Sequence, residues 1–381
     1  MKFKNIIILQ LIIISLFFFQ YPVLSKNESA KDLCDKALKL IDLEQLDDAL
    51  ILCNKALKLY PDNPIILANR GRIYFLKKEY DLSIGDCNKA IKIDPLYDQS
   101  YLWRGCSLGA LGKIQEALND FNKTISINPK SALGYLYRGF YYYYVENDYN
   151  KAITDFNIGI EITPDDKNLL LYRGISFFES GEYSKAINDF DKLIKIDPNH
   201  PQAYHYRALS NEFLNNINEA IRDYDKAIEI DPNSANAYHD RGVFYGKMHK
   251  RDKAIADFTK AIELDSNQAE SYLCRGNTYM GKGENDKALK DLTKAIELEI
   301  KDPIAYFNRG MLYYSMNVFD KALDDFAKCK EIDPSFGPFL KTYEIHCKNT
   351  TQELKGPNIF GWLIIISVAI ILIIFVQAKS R

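Results

Sequence analysis

Apolar and polar positions along this chain follow a helical period, and the whole pattern then returns every 34 residues. From Asp302 to Pro334, Tyr306, Gly310 and Tyr313 fall at i, i+4 and i+7, which is one stripe of a helix. Ala322, Phe326 and Cys329 make a second stripe, and a polar turn lies between the two. Each unit therefore predicts two helices packed as a hairpin. The closing Ile-Asp-Pro or Ile-Asn-Pro stops the second helix, because the residue before proline avoids the α region.

The register is carried by Arg70-Gly71, Arg104-Gly105, Arg138-Gly139, Arg173-Gly174, Arg241-Gly242, Arg275-Gly276 and Arg309-Gly310, with Arg207-Ala208 as the variant. One extra residue lies between Gly139 and Ala152. Prolines keep the same time at Pro61, Pro95, Pro129, Pro164, Pro198, Pro232 and Pro334, while Ser266 and Ile300 interrupt them. A glycine inside a helix costs about 1 kcal/mol against alanine, so the seven retained glycines cost on the order of 7 kcal/mol. Close approach of two helices is the expected compensation. Ala117, Ala152, Ala186, Ala220, Ala254, Ala288 and Ala322 are the small residues expected to face them.

This set of residues at this period resembles the tetratricopeptide repeat family from Ala30 to Pro334, as nine repeats. The first lacks Arg-Gly but keeps Ala37, Ala49, Ala56 and Pro61. The resemblance implies an all-α fold, a right-handed superhelical solenoid of helix hairpins with a concave groove. Such repeats bury their core between neighbours, so 381 residues need not divide into separate globular domains.

The two ends differ from the repeats. Lys2 and Lys4 precede an apolar run from Ile6 to Phe19, and Ser25 supplies a small cleavage residue, so residues 1–25 read as a signal peptide or, uncleaved, an N-terminal anchor. Residues 359–376, Ile359 to Val376, are 18 uncharged and largely apolar positions. At 1.5 Å per residue they span ~27 Å, enough for a thin bilayer, and predict a C-terminal transmembrane helix. Trp362 sits where an interfacial aromatic belongs, and Lys379 and Arg381 follow in the basic tail 377–381. Basic residues before the first run and after the second place both on the cytoplasmic side, with the repeats extracytoplasmic. Between repeats and membrane, residues 335–358 predict a capping helix over Pro338 to His346 and a polar linker from Asn349.

Net charge is −2 with acids and bases interspersed, so neither a basic face nor a charge block points to nucleic acid. Seven cysteines cannot all pair internally, and Cys53, Cys87 and Cys329 fall at core positions of the repeat. Asn27, Asn122 and Asn349 begin N-x-Ser/Thr sequons. No zinc-protease, redox, dinucleotide or P-loop motif occurs, which argues against an enzyme and against a bound cofactor or metal. His205 and His239 share one repeat position, on helices expected 8–10 Å apart, too far for a compact metal site.

The family's groove positions map here to an apolar and aromatic set: Leu136, Phe140, Tyr143, Tyr144, Leu171, Ile175, Phe178, His205, Leu209, His239, Val243, Phe307, Met311 and Tyr314. The lysines and asparagines with which chaperone-binding members clamp a terminal carboxylate are mostly missing. The function these features imply is a non-enzymatic, membrane-tethered scaffold that holds an extended peptide or partner helix. A holdase for unfolded secretory chains and a cytosol-facing, tail-anchored receptor are the alternatives. A charge ladder accompanies the groove. Arginine precedes the signature glycine or alanine in eight repeats, and an aspartate precedes the second-helix aromatic or its substitute in the same eight. Arg138 with Asp155, Arg173 with Asp189, and Arg241 with Asp257 are expected to form structural pairs, because neither residue type is buried alone.

Overall fold

The computed structural model describes residues 29–298 and 302–355. The leader read over 1–25, the apolar run 359–376 and the basic tail lie outside them. Among the described residues there are nineteen α-helices, one π-turn, one 3-10 turn and no strand. No helix among them is long and apolar enough to cross a membrane.

The chain divides into two compact units, Met1–Pro198 and Asn199–Arg381. The first carries α1 Ala30–Asp42, α2 Leu46–Leu59, α3 Pro64–Leu76, α4 Tyr80–Ile93 and α5 Asp98–Ala110. It continues with α6 Ile114–Ile127, α7 Ala132–Tyr141, α8 Tyr149–Ile162, α9 Lys167–Glu179 and α10 Tyr183–Ile196. The second carries α11 Pro201–Phe213, α12 Ile217–Ile230, α13 Ala235–Lys247, α14 Arg251–Leu264 and α15 Ala269–Lys282. It ends with α16 Asn285–Glu297, α17 Pro303–Ser315, α18 Phe319–Ile332 and α19 Gly337–Lys355. Consecutive helices pair as hairpins, five in the first unit and four in the second, and α19 packs on α18.

Local chemistry sets the boundaries. Seven of the nine first helices start on side-chain caps: Asn63, for instance, accepts from the Ile65 and Ile66 amides, and Asp166 from those of Asn168 and Leu169. Each hairpin turns through one left-handed residue, for instance Gly112 at φ 75° and Lys78 at φ 63°. Five second helices end in an aspartate or asparagine turn, in which Asp94, Asn128, Asp231, Asp265 and Asp333 each accept from the amide two residues on. Asp265 makes this bond although Ser266 stands where proline was expected, so the acidic residue keeps the stop when the proline is lost.

Five of the seven signature glycines meet rings, and Gly276 meets Leu292. A Cβ on Gly174 would lie 2.6 Å from Cε1 of Phe190, and one on Gly139 2.4 Å from Cε1 of Phe156. The expected facing alanines are buried beside this contact, and the Ala288 carbonyl oxygen shares it at Gly276, 3.4 Å from the added Cβ. Gly71 meets Cys87 in the same way, which is why a small thiol serves where other repeats carry a ring. Cys34, Cys53, Cys87, Cys106, Cys274 and Cys329 are free thiols. The helix after the last repeat is longer than its apolar residues suggested. It runs to Lys355, so most of the stretch read as a linker is helical. Leu340 and Cys347 on α19 are fully buried, and Lys330 on α18 pairs with Glu344.

Candidate functional site

In all eight repeats the arginine Nε and Nη2 donate to the two carboxylate oxygens of the aspartate on the partner helix, at 2.5–2.9 Å. Arg138 meets Asp155 at 2.8 and 2.7 Å, Arg173 meets Asp189 at 2.7 and 2.5 Å, and Arg241 meets Asp257 at 2.8 and 2.7 Å. The aspartates are buried. The guanidinium also has a third arm that the sequence reading missed. Nη1 of Arg104, Arg138 and Arg173 donates to Asn88, Asn122 and Asn157 of the preceding repeat at 2.7–2.8 Å, and Arg241 reaches Asp225 at 2.6 Å. Each planar fork thus ties three helices. The available signal was the polar residue two positions after each aspartate. The same bond occupies Asn122 of the sequon, whose Thr124 is fully buried and donates to the Asp120 and Asp98 carbonyls.

The expected groove residues separate into three groups. Leu136, Leu171 and Ile175 are only 3–5% exposed, so they form core packing and present no surface. Phe307, Met311 and Tyr314 pack against the last repeat and its cap. Phe307 meets Phe336 and Phe339 at ring-centroid distances of 5.6 and 5.7 Å, and Tyr314 meets Tyr343 at 5.2 Å. Their exposed face is what α19 covers. His205 Nε2 lies 3.0 Å from Asp240 and His239 Nδ1 2.8 Å from the Ser271 hydroxyl, so each histidine is tied to the following repeat. Burial holds the His239 pKa below its ordinary value. Leu209 and Val243 are half-buried beside them. Phe178 is half-buried against Tyr183, with ring centroids 5.6 Å apart.

The remaining residues, Phe140, Tyr143 and Tyr144, belong to an aromatic face on the first helices of the first unit. Phe140 packs on Tyr172 at 4.4 Å and Phe156 at 6.0 Å, and Tyr143 on Tyr149 at 5.5 Å, while Tyr144 is 61% exposed. The extra residue of this repeat is absorbed as a π-turn at Tyr142–Glu146, and the left-handed turn residue becomes Asn147. A π-turn inside a helix is a frequent mark of a functional site. It leaves Tyr144 and Val145 on the surface.

Beside this turn the first helices open into an apolar pit of about 310 Å³. Its floor is Cys106, Gly109 and Ala110 on α5, with Ile114, Ala117 and Phe121 on α6. Phe75 on α3 closes one side, and Tyr137, Phe140, Tyr141, Tyr144 and Val145 close the other. The cause is a register effect. Thirty-four residues before and after Gly109 stand Phe75 and Tyr143, and the same shifts from Ala110 reach Leu76 and Tyr144. One repeat with small residues between two with large ones leaves a hole. Trp103 adjoins it, with ring centroids 5.9 Å from Phe75 and 6.4 Å from Tyr137.

Fold and face together define a helix-hairpin repeat protein with an open aromatic surface. The chain belongs to the tetratricopeptide repeat family. Tetratricopeptide repeat models match residues 34–98, 98–131, 235–268 and 303–336, and a TPR repeat model matches 174–212, 214–248 and 276–317, together more than half of the chain. Among solved structures, the chain is similar to the APC/C hetero-tetramer Cut9-Hcn1, with a TM-score of 0.54 and 16% identity over 84% of this chain and 64% of that one. It is similar to MamA at 28% identity and a TM-score of 0.39, over 42% of this chain and 94% of that one. YrrB, described as a TPR protein with an unusual peptide-binding site, gives 20% identity and a TM-score of 0.42 over 50% and 97%. No curated protein sequence matches the chain.

Proposed function

We propose that this protein is a non-enzymatic interaction scaffold whose first-unit aromatic face holds a peptide or partner helix. The observation that carries this reading is the apolar pit beside the π-turn. An open cavity of about 310 Å³ with no charged side chain in its lining holds on the order of ten waters at ~30 Å³ each, and a partner's apolar side chain gains by displacing them. The uncharged run 359–376 supports tethering to a membrane through a C-terminal helix, and the flanking basic residues support repeats outside the cytoplasm. The free thiols at Cys34, Cys53, Cys87, Cys106, Cys274 and Cys329 favour one rival, a tail-anchored receptor facing the cytosol, because oxidising compartments promote disulfides. Protease protection of the repeats in sealed vesicles separates the two topologies.

The binding claim is tested by a photo-crosslinking amino acid at Tyr144, with a second at Asn188 on the outward face of α10 as control. A partner captured at 144 and not at 188 supports the scaffold. One defined product separates it from a holdase, which would give a broad smear of unfolded chains. Equal labelling at both positions, or at neither, would remove the site.

A further inference from the structure

The pit has a charged neighbour that the fold leaves underused. Asn69, Arg72 and Phe75 follow one stripe of α3 at i, i+3 and i+6, and Phe75 is a wall of the pit. The Arg72 guanidinium lies 5.2 Å from the Trp103 ring centroid, and Trp103 touches both Phe75 and Tyr137. Arg72 is not part of the ladder. It approaches Asp42 at 3.7 Å, a carboxylate 69% exposed to water, and its Nε is buried without a hydrogen-bond partner. One turn away, Asn69 is only 5% exposed and its Nδ2 is also unpartnered. Buried donors are almost always satisfied in folded proteins, so two orphans on one stripe require an explanation. At the other end of the pit Glu146 is already engaged, 2.8 Å from Lys151. The face is therefore apolar in the middle, with a partly exposed positive charge at the α3 end.

We infer that the partner segment is an extended peptide that seats one aromatic side chain in the pit and sets an acidic side chain against Arg72. This rests on the reading of the aromatic face as the binding site and names its occupant. The aromatic residue replaces water against Phe75, Phe121, Tyr137 and Phe140. The acidic residue pairs with the exposed part of the Arg72 side chain, whose contact with Asp42 is a long 3.7 Å. A fully apolar segment, such as a helix from a membrane protein, would leave that positive charge without a close partner.

Two variants isolate the two halves. Gly109→Phe fills the pit from its floor. A Cβ there meets nothing closer than Ala117 at 3.7 Å, and the same register carries Phe75 and Phe178 in other repeats, so the fold has precedent for the ring. Ala110→Leu, at the register of Leu76, is the second filling variant. Arg72→Glu inverts the charge, and Arg72→Gln removes it should the inversion unfold α3.

The probe is a random dodecapeptide library displayed on phage, selected on the full chain in detergent and scored for cross-linking at position 144. The expected result is enrichment of an aromatic residue with Asp or Glu within three positions. Binding of the enriched peptides should fall at least tenfold in Gly109→Phe and Ala110→Leu. Arg72→Glu should select Lys or Arg in place of the acid, and Arg72→Gln should lose the charge preference. Peptides that cross-link at 144 yet lack this pair, or that bind the filled variants unchanged, overturn the inference and leave the binding face standing. Should no selected peptide cross-link at 144, both fall.

Discussion

Asp189→Asn is the sharpest test of what holds the repeats together. Asp189 is 2% exposed and accepts two bonds from Arg173, at 2.7 and 2.5 Å. Asparagine keeps the shape but removes the charge and turns one acceptor into an amide that faces a guanidinium donor. Arg173 remains 14% exposed and still donates to Asn157 at 2.8 Å, so the cation keeps one partner and some solvent. Breaking a buried pair costs about 3–5 kcal/mol, and the residual contact places this case at the lower end, about 3 kcal/mol. The assay is urea unfolding followed by helical circular dichroism, with hydrogen exchange in α9 and α10, because repeat arrays need not unfold in one step. Glu182→Gln is the control. It removes an exposed pair with Lys185, and a loss below about 1 kcal/mol is expected. Replacing both partners, Arg173→Met with Asp189→Leu, should recover most of the loss, since no uncompensated charge stays buried. An Asp189→Asn protein as stable as wild type would show that the ladder is a decoration and refute the structural role.

Glycine positions of the same type should respond with opposite signs. Gly174→Ala forces a Cβ to 2.6 Å from the Phe190 ring and should lose about 1–3 kcal/mol by overpacking, whereas Gly109→Ala has room and should gain up to about 1 kcal/mol; thermal unfolding of both variants checks the pair. Burial lowers the His239 pKa below its ordinary 6.5, despite Asp240 and Glu270 nearby, so the folded state prefers neutral imidazole. Its contribution is complete above 6.5 and is lost as pH falls through that value towards the lowered one. His239→Gln should therefore flatten the fall in stability between pH 7 and 5, measured by urea midpoints, and an unchanged slope would reject the assignment. Burial also pushes the Cys53 and Cys87 thiols up to about 12, so a neutral-pH thiol reagent should label neither in the native protein and both once urea is added, as a thiol titration would read.

The parts of the fold that were legible share one property, which is repetition. A glycine that meets a ring, a left-handed turn and an Arg–Asp pair each recur at fixed spacing, and eight coincidences of charge are hard to place on two solvated faces. The site was only half legible. Groove positions taken from the repeat register included Phe140 and Tyr144, which line the pit, but swept in the buried Leu136, Leu171 and Ile175, because a register fixes direction and not depth. Tyr137, Tyr141 and Val145 were missed. The extra residue after Gly139 is plain in the sequence, but its absorption as a π-turn rotates the residues that follow. The pit itself is written as an absence, the small side chains of Cys106, Gly109 and Ala110 where neighbouring repeats are large. Such a gap becomes visible only when adjacent repeats are laid side by side. Arg72 was hidden for the opposite reason. A lone basic residue at a groove position has no pattern to announce it, and its buried, unpartnered Nε is a fact of packing.

Hydrogen–deuterium exchange of the full chain, with and without a peptide selected on it, tests the binding face most directly. Exchange should slow on binding at the hairpin turn around 109–113, which continues the floor of the pit, and across the π-turn Tyr142–Glu146 at its side, while α11 to α18 exchange as before. Protection confined to the second unit, or to the outward faces of the second helices, would contradict the account.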